Sequence, residues 1–142
     1  MTTGIKTVLF VCTGNSVRSQ MAEGILNHLG SGKWKVQSGG VIPSYVHPLA
    51  IRAMEEIKID ISKHTSKLLD QFANEKFDYV ITLCDFAAKL CPSFGGQGKR
   101  LHWSLEDPAS AAGTTEERLA VFRKIRDEIK RRIEKLLKSE AS

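Results

Sequence analysis

Val8, Leu9, Phe10 and Val11 form an unbroken apolar run inside the stretch Ile5 to Val11, the pattern of a strand buried on both faces of a parallel sheet. From Met21 the period lengthens: Met21, Ala22, Ile25, Leu26 and Leu29 recur at helical spacing, and Gly30 and Gly32 provide the stop. Trp34 to Ser38 predicts a short second strand closed by Gly39 and Gly40. Pro43 and Pro48 bracket a loop before a helix marked by Leu49, Ala50, Ala53, Met54 and Ile57, with Pro48 in its first turn. Ile59 to Ile61 leads into a polar connector, Ser62 to Ser66, and Leu68, Leu69 and Phe72 mark a short helix. Phe77 to Leu83 is the next buried strand and ends directly at Cys84. Asp85 to Cys91 reads as a short helix broken by Pro92 and by Gly95-Gly96; Lys99 to Leu105 is the last strand, with Leu101 and Trp103 on one face. Thr114 and Glu117 form a capping box for a long terminal helix striped by Leu119, Phe122, Ile125, Ile129, Ile133 and Leu136. Strands alternating with helices predict an α/β fold in three layers, a four-stranded parallel sheet covered on both faces, in a single domain over residues 1–142.

Composition narrows the function classes. With 142 residues and 42% hydrophobic content the chain can bury one sizeable core. No apolar run approaches the ~20 residues that cross a bilayer, and no basic segment with a following apolar stretch and cleavage site opens the chain, so no membrane association and a cytoplasmic location are expected. A net charge of +5 suits an anionic partner, but the basic residues are dispersed and mixed with acids on the last helix, which favours a small oxyanion over nucleic acid. Trp34 and Trp103 fit packing better than base stacking. The three cysteines, Cys12, Cys84 and Cys91, are an odd number, pointing to thiol chemistry rather than a disulfide framework.

The chemistry concentrates where the first strand meets the first helix, at Cys12-Thr13-Gly14-Asn15-Ser16-Val17-Arg18-Ser19. If the residues after Cys12 curl so that successive backbone N–H groups point inward, they make an anion nest at a helix N-terminus. Gly14 and Asn15 are the residue types that tolerate positive φ there. Arg18 offers a planar, permanently charged fork to two oxygens of a tetrahedral anion, and the same positive field favours the thiolate of Cys12. Thr13, Gly14, Asn15, Ser16 and Val17 thus join Arg18 as oxyanion-binding candidates, while Ser19, with Asn15 and Ser16, is a candidate to support the loop or the sulfur. The stretch matches neither Gly-x-x-x-x-Gly-Lys-Ser/Thr nor Gly-x-Gly-x-x-Gly, so a nucleotide site is not expected.

Cys84 and Cys91 are seven residues apart. On an intact helix they would share a face but lie about 10 Å apart along the axis, beyond the roughly 7 Å between Cα atoms that a disulfide spans. Bonding requires local unwinding, for which Pro92 and the glycines make a weak boundary. Three thiols permit a relay in which Cys12 attacks an oxyanion, Cys84 resolves the adduct and Cys91 carries the oxidation outward; Cys84 and Cys91 as buried apolar fillers is the plain alternative. Zinc held by the thiols with His64 or His102 is disfavoured because no close cysteine pair exists. Asp107, just before Pro108, is a candidate general acid or simply a turn former. His28, His47 and His64 lack ligand or base spacing, His102 is not assigned a catalytic role, and Glu23 has no assignable partner.

The loop, joined to Thr82-Leu83-Cys84, Cys91-Pro92 and His102-Trp103-Ser104-Leu105-Glu106-Asp107-Pro108-Ala109, resembles the low-molecular-weight protein tyrosine phosphatase superfamily and, within it, the thioredoxin-coupled arsenate reductases. The resemblance runs nearly the whole length of the chain. It implies that Cys12 attacks arsenate held by Arg18 and the loop amides, with Asp107 aiding loss of water or hydroxide. Cys84 would then release arsenite by forming a disulfide with Cys12, and Cys91 would take over Cys84 in a second disulfide reduced by thioredoxin, after a large movement of the Cys84 to Cys91 segment. Phosphate or sulfate would compete with arsenate, and a monomer without cofactor is expected.

Two departures accompany the resemblance. Val17 stands where many redox relatives carry a further cysteine outside the relay. Some relatives bind potassium through groups like Asn15, Glu23 and Ser38 plus an acid near His64 to Lys67, but here Lys67 falls at the acid's place; its ammonium replaces the cation or faces water, and no stable metal site is expected. The rival reading is a tyrosine phosphatase working through Cys12 and Asp107. Ala109, where dedicated phosphatases typically place an aromatic wall, speaks against it, although weak phosphatase activity would accompany a reductase. A non-enzymatic anion-responsive module would leave Cys12 and Asp107 without a shared purpose.

Overall fold

The apolar run that opens the chain becomes β1 (Lys6–Cys12) and lies inside the sheet, which explains why Val8 to Val11 are fully buried. The computed structural model describes residues 5–30, 32–90 and 98–141. After β1 come α1 (Arg18–Leu29), β2 (Trp34–Gly40), α2 (Pro48–Glu55), β3 (Tyr79–Thr82), α3 (Asp85–Leu90), β4 (Lys99–His102) and α4 (Thr115–Ala141), with 3-10 turns at Leu69–Phe72 and Pro108–Ser110. The four strands are parallel in the order β2-β1-β3-β4, an α/β fold. Among the described residues no helix is long and apolar enough to cross a membrane.

The register puts function at one end of the sheet. From β1 the chain moves to β2 on one side and then to β3 on the other, so the crevice between β1 and β3 is the topological switch point where ligands of open α/β sheets bind. Cys12 ends β1, and Cys84 follows β3 by two residues. Leu83 N–H donates to Val11 O at 2.8 Å and continues the pairing past β3. On α4 the apolar stripe Leu119, Phe122, Ile125, Ile129, Ile133 and Leu136 is buried as its spacing requires. Thr114 and Glu117 make both capping-box bonds. Arg126 fastens α4 to α2 through Ala53 O at 2.8 Å and Glu56 at 2.9 Å.

Several element bounds differ from the sequence expectation. β4 ends at His102 rather than Leu105: Trp103 N and Leu105 N still donate to Thr82 O and Leu83 O, but the Leu105 carbonyl turns away to Arg18. β3 spans Tyr79–Thr82 rather than Phe77 to Leu83, since Asp78 is drawn into a side-chain bond with the Thr7 amide. α2 ends before Ile57, where Lys58 at φ 64° reverses the chain, and the short helix around Phe72 is one 3-10 turn. β2 runs through both glycines, because Gly39 and Gly40 pair with Val11 and Cys12.

Candidate functional site

The loop after β1 is fixed by its carbonyls. Cys12 O accepts from Val41 N, Thr13 O from Ile42 N, Gly14 O from Ser44 N and Ser66 Oγ, Asn15 O from Gln20 Nε2, Ser16 O from His47 N and Val17 O from Met21 N, at 2.8 to 3.3 Å. Six successive carbonyls are thus tied to the surrounding scaffold, whereas the amides of Thr13 to Val17 bond to no protein group among the described residues. An amide points opposite to its neighbouring carbonyl, so this is the backbone arrangement of an anion nest at the start of α1. Asn15 takes the left-handed conformation, φ 47°. The crossing with β2 demands glycine: a Cβ on Gly40 would sit 2.7 Å from Asn15 N and 2.8 Å from Thr13 O.

Side chains beneath the loop address the sulfur. Asn15 Nδ2 donates to Ser19 Oγ at 2.8 Å and to Ser38 Oγ at 2.9 Å, which leaves the Ser19 proton for Cys12 Sγ, also 2.8 Å away. These bonds hold the sulfur in place beneath the loop. Cys12, Asn15, Ser19 and Ser38 are all buried. Arg18, equally buried, donates from Nη1 to Leu105 O at 3.0 Å and places Nη2 3.7 Å from Asp107 Oδ2, while its Nε has no partner among the described residues. A buried guanidinium nitrogen without a protein acceptor is suited to an incoming oxyanion. Asp107 caps the following 3-10 turn through Ala109 N and keeps its other oxygen toward Arg18.

Cys12, Thr13, Gly14, Ser16, Val17, Arg18, Asp107 and Ala109 line one cavity of about 270 Å³. Ser44, Tyr45 and His47 complete its wall, and sequence reasoning missed them as site residues. The His47 ring accepts at Nδ1 from Leu49 N at 3.0 Å as the cap of α2. Burial first and the nearby Arg118 second push its pKa down, against an opposing pull from Asp107. Tyr45 stacks on His47 and is largely exposed at the rim. Gln20 was also missed: it braces Asn15 and Thr65 while its Oε1 meets His64 Nδ1 at 3.0 Å.

Glu23, without a partner in the sequence reading, accepts from Ser38 and lies 3.5 Å from the Lys67 ammonium. Lys67 is therefore turned inward rather than to water, and its amide also bonds Asn15 Oδ1 at 2.7 Å. A resident ammonium in this donor set does not fit a metal cation as well.

The second thiol arrives from the other side of the crevice. Cys84 Sγ lies 3.2 Å from Thr13 Oγ1, against the residue that follows Cys12. Both described thiols are free and buried. α3 begins immediately after Cys84, and Cys91 lies outside the described residues.

Residues 7–141 match the family described as low molecular weight phosphotyrosine protein phosphatase. An arsenate reductase of Halalkalibacterium halodurans is 50% identical over 128 residues, covering 90% of this chain and 92% of that protein. Among solved structures, an arsenate reductase in the phosphate binding state superposes with a TM-score of 0.83 at 44% identity, covering 94% of this chain and 98% of that one. A thioredoxin-dependent arsenate reductase of Corynebacterium glutamicum gives a TM-score of 0.75 at 30% identity over 98% of this chain and 63% of its own.

Proposed function

The chain belongs to the low molecular weight phosphotyrosine protein phosphatase family and is similar to its arsenate reductases, and from that premise we propose that it reduces arsenate to arsenite through a three-cysteine relay emptied by thioredoxin. Arsenate enters the nest and is clamped by Arg18, whose free Nε and outer Nη2 are the remaining donors of the fork. Cys12 attacks arsenic, and Asp107 protonates the departing oxygen, which leaves as water. Cys84 then attacks the Cys12 sulfur. The S–S bond forms and the S–As bond breaks with its electron pair left on arsenic, which departs as arsenite. Cys91 attacks Cys84, displaces Cys12 as thiolate, and the Cys84–Cys91 disulfide passes to the dithiol of thioredoxin, which ends oxidised.

The observation that carries this reading is the 3.2 Å contact between Cys84 Sγ and Thr13 Oγ1, because it stations a second thiol at the lip of the oxyanion loop. Phosphoester hydrolysis has no use for it. The test is turnover with arsenate and a thioredoxin system, followed by mass mapping of trapped disulfides. Cys84→Ser and Cys91→Ser are expected to lose steady-state reduction; retention of turnover by either would reject the relay.

The phosphatase chemistry survives as a side activity. Tyr45 and His47 supply an aromatic wall from the loop opposite Ala109, so a small aryl phosphate can be seated with Cys12 as nucleophile and Asp107 as acid. Slow hydrolysis of such an ester, unchanged in Cys91→Ser, is the expected sign.

A further inference from the structure

α3 is tied to the sheet by side chains that the relay chemistry does not use. Asp85, its first residue, accepts from His102 Nε2 at 2.8 Å and from Ser104 Oγ at 3.1 Å. The other ring nitrogen of His102 lies 2.8 Å from Thr82 Oγ1. Farther along, Arg100 donates to Ala88 O at 2.7 Å. Thr82 ends β3, Arg100 and His102 belong to β4, and Ser104 follows it. Two neighbouring strands therefore grip the helix directly behind Cys84.

We propose that Asp85, His102 and Ser104 form a positioning clasp that holds Cys84 at the lip of the Cys12 loop for the step that releases arsenite. The inference rests on the reductase reading of the site. Its physical basis is the way the Cys84 backbone is anchored. On one side Leu83 N–H is fixed to Val11 O at 2.8 Å, and on the other Ala88 N–H reaches Cys84 O at 3.1 Å. The strand side cannot swing. The helix side has no strand partner among the described residues, so its direction depends on the side chains that hold it.

The direction in which the first turn of α3 leaves the sheet sets where the Cys84 sulfur points, and the Asp85 carboxylate fixes that direction. Thr82 Oγ1 meets Nδ1 and the Asp85 carboxylate meets Nε2, so the His102 ring is oriented from both ends. With its carboxylate so bound, Asp85 is held below the usual carboxylate range, His102 contributing most and Ser104 next. The clasp sits at the surface, with the Asp85 side chain 73% and the His102 side chain 38% exposed. It orients the helix while leaving it easy to release afterwards.

In the step concerned, the Cys84 thiol gives its proton to solvent and its sulfur attacks Cys12 in the thiol–arsenic adduct. One S–S bond forms, one S–As bond breaks, and arsenic keeps the electron pair. Nothing in that exchange consumes Asp85 or His102, which makes them positioning residues.

The test isolates the step in a Cys91→Ser background, where the relay stops at the Cys12–Cys84 disulfide, and follows arsenite release in a single turnover. Asp85→Ala is expected to slow release about tenfold, the scale of losing hydrogen bonds to a charged group at a partly exposed site. Asp85→Asn, whose side-chain oxygen still accepts from Ser104 and His102, is expected to stay within about twofold of the parent. Inhibition by phosphate should be the same in all three, because the nest is untouched. Wild-type release in Asp85→Ala, or an Asp85→Asn rate as low as that of Asp85→Ala, would overturn the clasp alone. No arsenite from the Cys91→Ser parent would remove the reductase reading and the clasp with it.

Discussion

The two described thiols are held in opposite ways. Around Cys12, six carbonyls and the buried side chains of Asn15, Ser19, Gln20 and Ser38 fix every turn of the loop. Behind Cys84, α3 hangs on bonds from the exposed residues Asp85, Arg100, His102 and Ser104. The difference matches the tasks assigned to them. A group that must recognise a tetrahedral anion gains from being preorganised, whereas a thiol that must reach two partners in turn needs restraints that exchange at little cost.

Breaking the rigid side should have the larger effect. Arg18→Ala removes the only charged donor of the loop and is expected to lower kcat/KM for arsenate on the order of a hundredfold or more. Phosphate inhibition should weaken with it, since both anions use one fork; steady-state kinetics with phosphate titration reads both. Normal values for both ligands would place the anion elsewhere.

The contrast sharpens when the same truncation is made on each side. Asn15→Ala strands the bonds to Ser19, Ser38 and the Lys67 amide in a buried site and forces alanine to a φ of 47°. A loss of about 3 kcal/mol is expected in denaturant unfolding. Asp85→Ala, on the surface, should change stability by no more than about 0.5 kcal/mol. Equal losses would erase the distinction between the two regions.

The rigid half was legible in the sequence because it is local. Cys12, Gly14, Asn15, Arg18 and Ser19 follow one another, and an apolar run before them and a helical period after them announce a strand-to-helix turn. The half around Cys84 depends on partners far apart in sequence. Thr13 meets Cys84 only because β1 and β3 are neighbours, and Asp85 meets His102 only because β3 and β4 are. His102 could be set aside on spacing alone, yet it faces Asp85 across the sheet. Tyr45 and His47 stand in a loop without periodicity, and the one signal they offered was their place between Pro43 and Pro48, after a strand that ends beside the site. The ends of β3 and β4 were misjudged for the same reason, since the Asp78 and Ser104 side chains and the Leu105 carbonyl go to partners that no local pattern reveals.

The smallest effect on catalysis should come from the brace between α2 and α4, remote from both thiols. Arg123 and Arg126 hold Glu56 down to about 2 from an ordinary 4.5, the Arg123 hydrogen bonds contributing most. A carboxylate lowered in the folded state adds stability above its unfolded value and loses it as the pH falls from there through the folded one. Glu56→Gln should therefore lower Tm slightly at neutral pH, on the order of 1 kcal/mol for a partly exposed pair. The gap to the parent should close as pH drops below about 4.5 toward 2. A gap that widens in acid would assign Glu56 another role.

β1 has a hydrogen-bonded neighbour on each flank, while among the described residues β4 has one. An inner strand comes apart only with its whole sheet, but an outer one can fray alone. The anion-gripping turn thus grows from an inner member of the layer, and the helix behind the second thiol leans on an outer one. Thermal breathing that frees the helix leaves the cradle undisturbed.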